Sequence, residues 1–473
     1  MTKKFIKLKS EDLSEWYNDV VVKSGLADYA PVKGCMVIRP YGYAIWERIH
    51  NFMDPFIKEK GVQNAYFPIF IPENFLKKEK EHVEGFAPEL AVVTHGGGEE
   101  LTEKLVIRPT SETIMYEMYK KWTQSWRDLP VMMNQWCNVV RWEKRTYLFL
   151  RTSEFLWQEG HCAHTTESEN QDMVKWALDL YKKTYRDLLS IYGITGVKSD
   201  SEKFAGAGKT YTIEALMPNG KSLQAATSHD LSQNFSKSFD WSVQDQNGQK
   251  LYPYQNSWGL STRAIGSLIM VHGDDNGLVF PSQVAPVQIV IIPIPGHSKA
   301  KTLAENVFTD LKTKYRCQLD LIDNETAGFK FNHWEMKGVP LRIEIGDKEA
   351  DNNAVVLCRR DNLQKQTVSV SDLNKNITQI LADIQATLLK KHQEFTQQNT
   401  HTTDSYDEFK KIMSTTRGFV LAHWCENPQC EAEIKQDTKA TTRCLPDGQP
   451  EEKGVCIHCG QPSKHRWLFA QSY

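Results

Sequence analysis

The apolar positions of the chain fall into three stretches of different rhythm. In the first, which runs to about Pro281, apolar runs such as NAYFPIFIP and DLPVMMNQWCNVVRWE read as strands with helices between them. A helix over residues 41–60 is followed by Gly61 and a strand that holds Pro68. Proline lacks the N–H that a ladder needs, so this strand suits an edge or an interface. Residues 131–142 are long and apolar and carry no helical caps, which predicts a central strand. The stretch as a whole predicts an α+β domain over residues 1–283, an antiparallel sheet with flanking helices.

From about Val287 the pattern changes. Residues 288–294 read as a buried strand, 298–315 as a helix with Ser298 as N-cap, 318–322 as a strand and 330–337 as a helix. Strands follow at 341–345, 354–357 and 367–370, then a helix capped by Ser371 that runs toward Lys391. Such alternation predicts a small α/β domain with a mostly parallel sheet over 284–392. A polar stretch, 393–404, leads to a third α+β unit over 393–473, which holds five of the ten cysteines and closes on WLFAQSY.

Length and composition agree with this division. The chain has 473 residues, enough for about three domains. It is 40% apolar and 25% charged, so a sizeable core is expected without disulfide staples. A net charge of −2 gives no global basic field, and contacts to nucleic acid would come from local patches. The N-terminal MTKKFIKLKSEDLSEWY lacks the apolar stretch of a signal peptide, and the longest apolar run, 287–294, is broken by Pro293 and far too short to span a bilayer. The expectation is a cytoplasmic protein with no membrane partner. In a reducing compartment, closely paired cysteines read as metal ligands before disulfides.

Charge sits where long apolar strands would bury it. In NQWCNVVRWEKRTYLFLRTSEFLWQEGH, residues 134–161, Arg141 and Glu143 end one strand and residues 144–149 form a polar turn. Arg151 and Glu154 open the return, along which Trp157, Glu159 and His161 alternate. Residues two apart share a strand face, so Arg141 and Glu143 are expected on one face and Trp157, Glu159 and His161 on another. An exposed charged hairpin explains this poorly, because buried charge needs a partner or a ligand. In NSWGLSTRAIGSLIMVHGD, residues 256–274, Gly259 precedes Arg263 where an apolar helix begins, a joint that can hold a phosphate. Two glycine-rich runs are set aside as turns. AGAGKT at 205–210 has Lys203 where a P-loop needs glycine, and residues 96–98 lack dinucleotide-fingerprint spacing.

Together with RPTSE (108–112), FLRTSEFLWQEGH (149–161), QAATSHDLSQNF (224–235) and the closing SY, these segments resemble the signature motifs of class II aminoacyl-tRNA synthetases. The nearest resemblance is to prolyl-tRNA synthetases of the archaeal and eukaryotic type, and it covers nearly the whole chain. One departure is Thr262, where the class usually has an acidic residue before the motif arginine. The resemblance implies a class II catalytic domain and ATP-dependent attachment of L-proline to tRNA(Pro) through prolyl-adenylate, with Mg²⁺ accompanying ATP.

Proline itself calls for an anion at its ammonium, aromatic walls for its ring and a cation for its carboxylate. Glu112 with Thr110 can bind the ammonium; Trp157, His161 and Phe204 can wall the ring. Arg141 can hold the carboxylate and the α-phosphate, because a planar fork binds two oxygens at once. The resemblance gives Arg151 and Arg263 to the ATP phosphates, Glu143, Gln224 and Thr227 to adenine and ribose, and His229 to the pocket edge. It also implies Glu159 and Ser261 on the proline side and Thr152 on the ATP side, with Arg141 and Arg263 as the catalytic pair.

The α/β domain resembles the anticodon-binding domain of the same group through FKFNHWEMKGVPLRIEIG, residues 329–346, and Glu335, Lys337, Arg342, Arg359 and Arg360 are its candidates for reading the anticodon. In the third unit Cys425-x4-Cys430 and Cys456-x2-Cys459 suit tetrahedral Zn²⁺, with His458 and Cys444 as competitors on spacing. The resemblance favours the four cysteines, a structural site. It further implies a homodimer built on the 41–60 helix and the Pro68 strand. Arg141 and Arg263 stand 122 positions apart, and catalytic segments fill that span, so no inserted editing domain is expected. Threonine or serine synthetases usually add a catalytic-domain zinc or a coiled-coil arm, and neither signal is here. A catalytically dead relative would have lost Arg141, Arg263 or Glu112.

Overall fold

Eleven strands join into one sheet in the computed structural model, which describes residues 6–76 and 90–473. Read from one edge, the order is Thr400–Thr402, Phe419–His423, Arg466–Gln471, Ala440–Pro446, Ile194–Val197, Lys209–Leu216, Ser222–Ser232, Tyr254–Ser261, Glu154–His164, Val131–Val140 and Gln63–Asn64. Only the two outermost pairs are parallel. The antiparallel sheet expected of the first stretch is therefore present, but it does not stop there. The C-terminal strands continue it through Leu445 opposite Val197 and Pro446 opposite Gly196. A Cβ on Gly196 would stand 2.2 Å from the Leu445 carbonyl oxygen, so only glycine permits this seam.

Alternation sorts the strand Glu154–His164 cleanly. Gln158, Gly160 and Cys162 face the helix Glu167–Lys183, which is opened by a capping box of Thr166 and Glu169. That helix buries Met173, Val174, Ala177 and Tyr181, and the Tyr181 hydroxyl donates to Gln158 Oε1 at 2.7 Å. Met173 and Val174 each contribute about 1.5–3 kcal/mol by this burial. Trp258 packs across Gly160, where a Cβ would lie 2.1 Å from the indole. Trp157, Glu159 and His161 are left for the other face.

Several expected placements shift. The strand over 131–142 is Val131–Val140, and it lies second from the sheet edge rather than centrally. Pro68 belongs to an irregular connection, and the edge strand before it is the short Gln63–Asn64. The 41–60 helix is Pro40–Glu59, started by Pro40 in its first turn and buried along Ile45, Trp46, Ile49, Met53 and Ile57.

The second stretch forms its own five-stranded sheet, ordered Cys317–Leu319, Ile289–Pro293, Leu341–Ile345, Ala354–Arg359 and Lys365–Ser369. Two pairs are parallel and two antiparallel, so the sheet is mixed where a mostly parallel one was expected. The connection after Ile345 holds only the short helix Asp347–Asp351 before the strand Ala354–Arg359 begins, shorter than the dozen or more residues that a parallel crossover requires. The helix Ser298–Leu311 is preceded by His297 at the cap position, not capped by Ser298. The helix that closes this unit, Leu373–Gln398, starts after Asp372 rather than Ser371 and runs through the first half of the polar stretch expected to be a linker.

Candidate functional site

An open cleft of about 860 Å³ lies on the face of the large sheet opposite the Glu167–Lys183 helix. The RPTSE turn supplies one wall. Arg108 is fully buried, and its Nε and Nη1 donate to Asn138 O at 2.8 Å and Phe67 O at 2.7 Å. This anchors the turn so that Thr110 and Glu112, at the start of the helix Glu112–Trp122, line the cleft. The Thr110 hydroxyl donates to Glu112 Oε2 at 2.5 Å.

A buried acidic network lies beneath. Glu159 Oε1 accepts from Gln135 Nε2 at 2.7 Å and from the Ser111 hydroxyl, and its Oε2 is 3.0 Å from His161 Nε2. Burial pushes the Glu159 carboxyl up, but the bond and charge of His161 and the bonds from Ser111 and Gln135 outweigh it and hold the group at about 2. Burial likewise pulls His161 down, yet the Glu112 charge and the bond to Glu159 leave it raised above an ordinary histidine. His161 Nδ1 lies 4.0 Å from Glu112 Oε1 and has no hydrogen-bond partner among the described residues. The floor therefore presents fixed negative charge where a small ammonium would sit.

Arg141 overturns one expectation. It was placed on the face away from Trp157, but its guanidinium lies over the Trp157 ring at 5.1 Å and near Phe155 at 5.8 Å, facing the same cleft. Cross-strand register, which alternation along one strand leaves open, is the reason: Gln135, Cys137 and Val139 pair with Glu159, Trp157 and Phe155, and paired residues share a face, so Arg141, next in that series, belongs on the Trp157 side. Arg141 Nε donates to Pro109 O at 3.1 Å, which fixes the cation beside the RPTSE turn. Arg263 opens the helix Arg263–His272 and also lines the cleft, with Nε donating to Leu150 O at 3.1 Å. Thr262 is buried at the joint.

Phe204, Gln224, Thr227, His229 and Ser261 all line the cleft. His229 stacks on Phe204 with centroids 4.4 Å apart and pairs with the hydroxyls of Thr210 and Thr227 at 3.0 Å each. Burial pulls its imidazole down to about 3, so the ring is neutral. Glu143 and Arg151 pair with each other at 2.7 Å outside the wall, close enough to act on the charge of Arg263. Thr152 is buried, its hydroxyl donating to Glu154 O at 2.7 Å. Among the lining residues that went unread in the sequence are Phe155, Lys198 and Glu202. Extending the alternation of Trp157, Glu159 and His161 back by two would have found Phe155. Lys198 carries no local signal. The AGAGKT run is a turn leading into the strand Lys209–Leu216, and residues 97–98 form a hairpin tip.

In the second unit Glu335, Arg342 and Arg359 line a shallow pocket. Arg342 pairs with Glu335 at 2.8 Å and Glu344 at 2.9 Å and lies over the Phe331 ring at 4.2 Å. Arg359 pairs with Asp361 at 2.8 Å. Lys337 does not line this pocket; its ammonium lies 5.0 Å from the Tyr41 ring centre and 5.2 Å from that of Trp334. Arg360 was expected to read nucleotides; it is buried and committed to Asp274 of the first unit.

The sulfurs of Cys425, Cys430, Cys456 and Cys459 all lie within 4.8 Å of one another. Four thiolates on tetrahedral zinc, with Zn–S near 2.3 Å, would be ~3.8 Å apart, so the cluster fits that ion. A backbone amide bond from Gln461, helped by the neighbouring cysteines, holds Cys459 down to about 7, whereas burial pushes the Cys425 and Cys430 thiols up, so a metal held there would have to displace protons from them. His458 forms a second, smaller group with Cys430 and Glu433. Cys444 is buried in a different apolar cluster, away from these sulfurs.

Known proteins align with each of these units. Residues 93–272 match the tRNA synthetase class II core domain (G, H, P, S and T), 288–380 the anticodon binding domain, and 406–473 the prolyl-tRNA synthetase C-terminal domain. A proline–tRNA ligase from Alkaliphilus oremlandii is 52% identical over 98% of this chain and 96% of its own length. One from Natranaerobius thermophilus is 52% identical over 99% and 98%. A crystal structure of prolyl-tRNA synthetase from Cryptosporidium parvum, complexed with halofuginone and AMPPNP, superposes with a TM-score of 0.96 at 42% identity and covers 99% of both chains.

Proposed function

This chain belongs to the prolyl-tRNA synthetase family, the proline–tRNA ligases of class II, and from that premise we propose how its cleft divides the work. Glu112 with Thr110 takes the secondary ammonium of L-proline over the Glu159–His161 floor. Trp157, His161 and Phe204 enclose the ring, with His229 and Ser261 at its edge. Arg141 holds the carboxylate against the α-phosphate of ATP. Arg263 and Arg151 meet the remaining phosphates, whose charge Mg²⁺ arriving with ATP helps to neutralise. Glu143, Thr152, Gln224 and Thr227 serve adenine and ribose.

In the first step a carboxylate oxygen attacks the α-phosphorus and pyrophosphate leaves, giving prolyl-adenylate. In the second, a terminal ribose hydroxyl of tRNA(Pro) attacks the prolyl carbonyl and AMP leaves. The first nucleophile is already an anion, so positioning and charge stabilisation by arginines carry the step without a protein base. The observation that carries this reading is Arg141 over Trp157 facing Glu112 and Thr110: cation, apolar wall and anion converge on one small cleft. ATP–pyrophosphate exchange measured with each of the twenty amino acids tests it. Proline should stimulate exchange most; stimulation by serine or threonine instead would sink the assignment.

The remaining readings rest on the same family membership. Glu335, Arg342 and Arg359 would read the anticodon, with Lys337 at the margin. Cys425, Cys430, Cys456 and Cys459 would hold a structural Zn²⁺. The chain would be a homodimer through its Pro40–Glu59 helix and would work in the cytoplasm, which its ten unbridged cysteines support. The archaeal and eukaryotic type was expected, whereas these curated relatives come from bacteria. The type is therefore proposed here as an architecture, not a source. Its support is the span between Arg141 and Arg263, filled by strands of the one sheet and the elements around them; on this reading the chain would work without a cis-editing domain.

A further inference from the structure

We propose that Lys198 gives the cleft a further cation for a substrate phosphate, and that Arg443 of the C-terminal unit is the positioning residue that sets it through Glu214. The inference rests on the reading of the cleft given above. Lys198 follows the strand Ile194–Val197, its backbone N–H bound to Thr210 O at 2.8 Å, and it lines the cleft beside Phe204 and Thr210. Its ammonium lies 3.4 Å from Glu214 Oε1, with the two side chains 2% and 0% exposed.

Glu214 is fully occupied. Its Oε1 also accepts from Thr212 at 2.9 Å, and its Oε2 accepts from Ser222 at 2.7 Å and from Arg443 Nε and Nη2 at 3.0 Å each. Two buried cations thus share one carboxylate. The nearby Glu431 is engaged instead with Ser199 and Thr442. An ammonium has three donors, and the long contact to Glu214 engages at most one of them. Glu202, which also lines the cleft and lies 3.9 Å from Lys435, adds negative charge near Lys198, but buried charge is costly unless an anion meets it directly, and the side of Lys198 not occupied by protein is the cleft. The cleft's substrates bring phosphate from ATP or from the 3′ end of tRNA. The β-sheet seam fixes Arg443, since Leu445 and Pro446 pair directly with the Lys198 strand.

The test compares full-length Lys198→Met, Lys198→Arg, Arg443→Met and the Lys198→Met/Arg443→Met double variant, each checked for folding by thermal melting. Lys198→Met should raise the KM for ATP in pyrophosphate exchange about tenfold and leave the KM for proline unchanged. Lys198→Arg should restore much of the loss. Arg443→Met should shift the same constant by less, and the double variant should add little to Lys198→Met. A rise confined to the KM for tRNA in aminoacylation would assign the phosphate to the tRNA terminus. If folded Lys198→Met keeps both constants within about twofold of the parent, the proposal is wrong and the network is structural. Absence of proline-dependent exchange in the parent chain would instead refute the reading of the cleft.

Discussion

Arg360 grips Asp274 with both ends of its guanidinium, Nη1 at 2.7 Å and Nη2 at 2.6 Å from the two carboxylate oxygens. The same side chain donates through Nε to the Glu335 carbonyl at 3.0 Å. Asp274 stands just past the helix that begins with Arg263, and Glu335 lines the second-unit pocket. The pair therefore joins the adenylate end of the molecule to its proposed anticodon end. Asp274→Ala should leave proline-dependent exchange within about twofold of the parent while raising the KM for tRNA in aminoacylation several-fold. Asp274 is 41% exposed but Arg360 only 2%, so the variant leaves a buried guanidinium without its carboxylate and the stability loss should be about 1–3 kcal/mol.

Arg141→Ala should lower exchange about 10²–10³-fold, the scale for losing one preorganised charge donor. The fold should survive, because the main-chain bond from Arg141 N to Ser153 O remains. Circular dichroism and exchange measured on one preparation decide it, and near-parent exchange would remove Arg141 from the centre.

Protein purified without chelator should carry about one zinc per chain by elemental analysis. Cys425→Ser should lose it and increase proteolysis of residues 406–473 more than it lowers proline activation. A metal-free parent of full stability would count against the site.

Stability should fall on mild acidification. Burial holds His272 at about 3, His229 at about 3 and His164 at about 4, whereas the unfolded chain protonates these residues near 6.5. Protons then favour the unfolded state as pH drops from 6.5 toward 4, by up to about 1.4 kcal/mol per unit per histidine. His161, raised instead, acts in the opposite sense, and its contribution is lost as pH rises through its folded value. Three outweigh one, so the urea midpoint should be lower at pH 5 than at pH 7. His272→Gln, which keeps a donor toward Leu189 O, should narrow that difference.

A pocket that admits proline cannot exclude the smaller alanine, since losing a couple of methylenes costs a substrate only about 1–3 kcal/mol. The protein should activate alanine detectably and leave preformed alanyl-tRNA(Pro) intact. Deacylation well above the buffer rate would reveal an editing site within the chain.

What could be read from the sequence followed local rules. Strand alternation placed Trp157, Glu159 and His161 together, and the cysteine spacings found all four clustered sulfurs. What stayed hidden depended on partners far along the chain. Arg360 looks like a surface cation until Asp274, 86 residues earlier, comes beside it. Lys198 has no motif, and its setting comes from Arg443, which is 229 residues from Glu214. Arg141 was assigned to the wrong face because alternation along each strand says nothing of the register between them, and it is the pairing of Cys137 with Trp157 that puts both rows on one face.

The seam between Ile194–Val197 and Ala440–Pro446 also bears on the order in which the protein is made. The ribosome releases the first of these strands long before the second, so the growing chain holds an open, apolar sheet edge until its last segment emerges. Such an edge is a template for pairing with other chains, and late, distant pairing prolongs its exposure. Chains that stop short of residue 440 should accordingly be recovered as aggregates rather than as a working catalytic half.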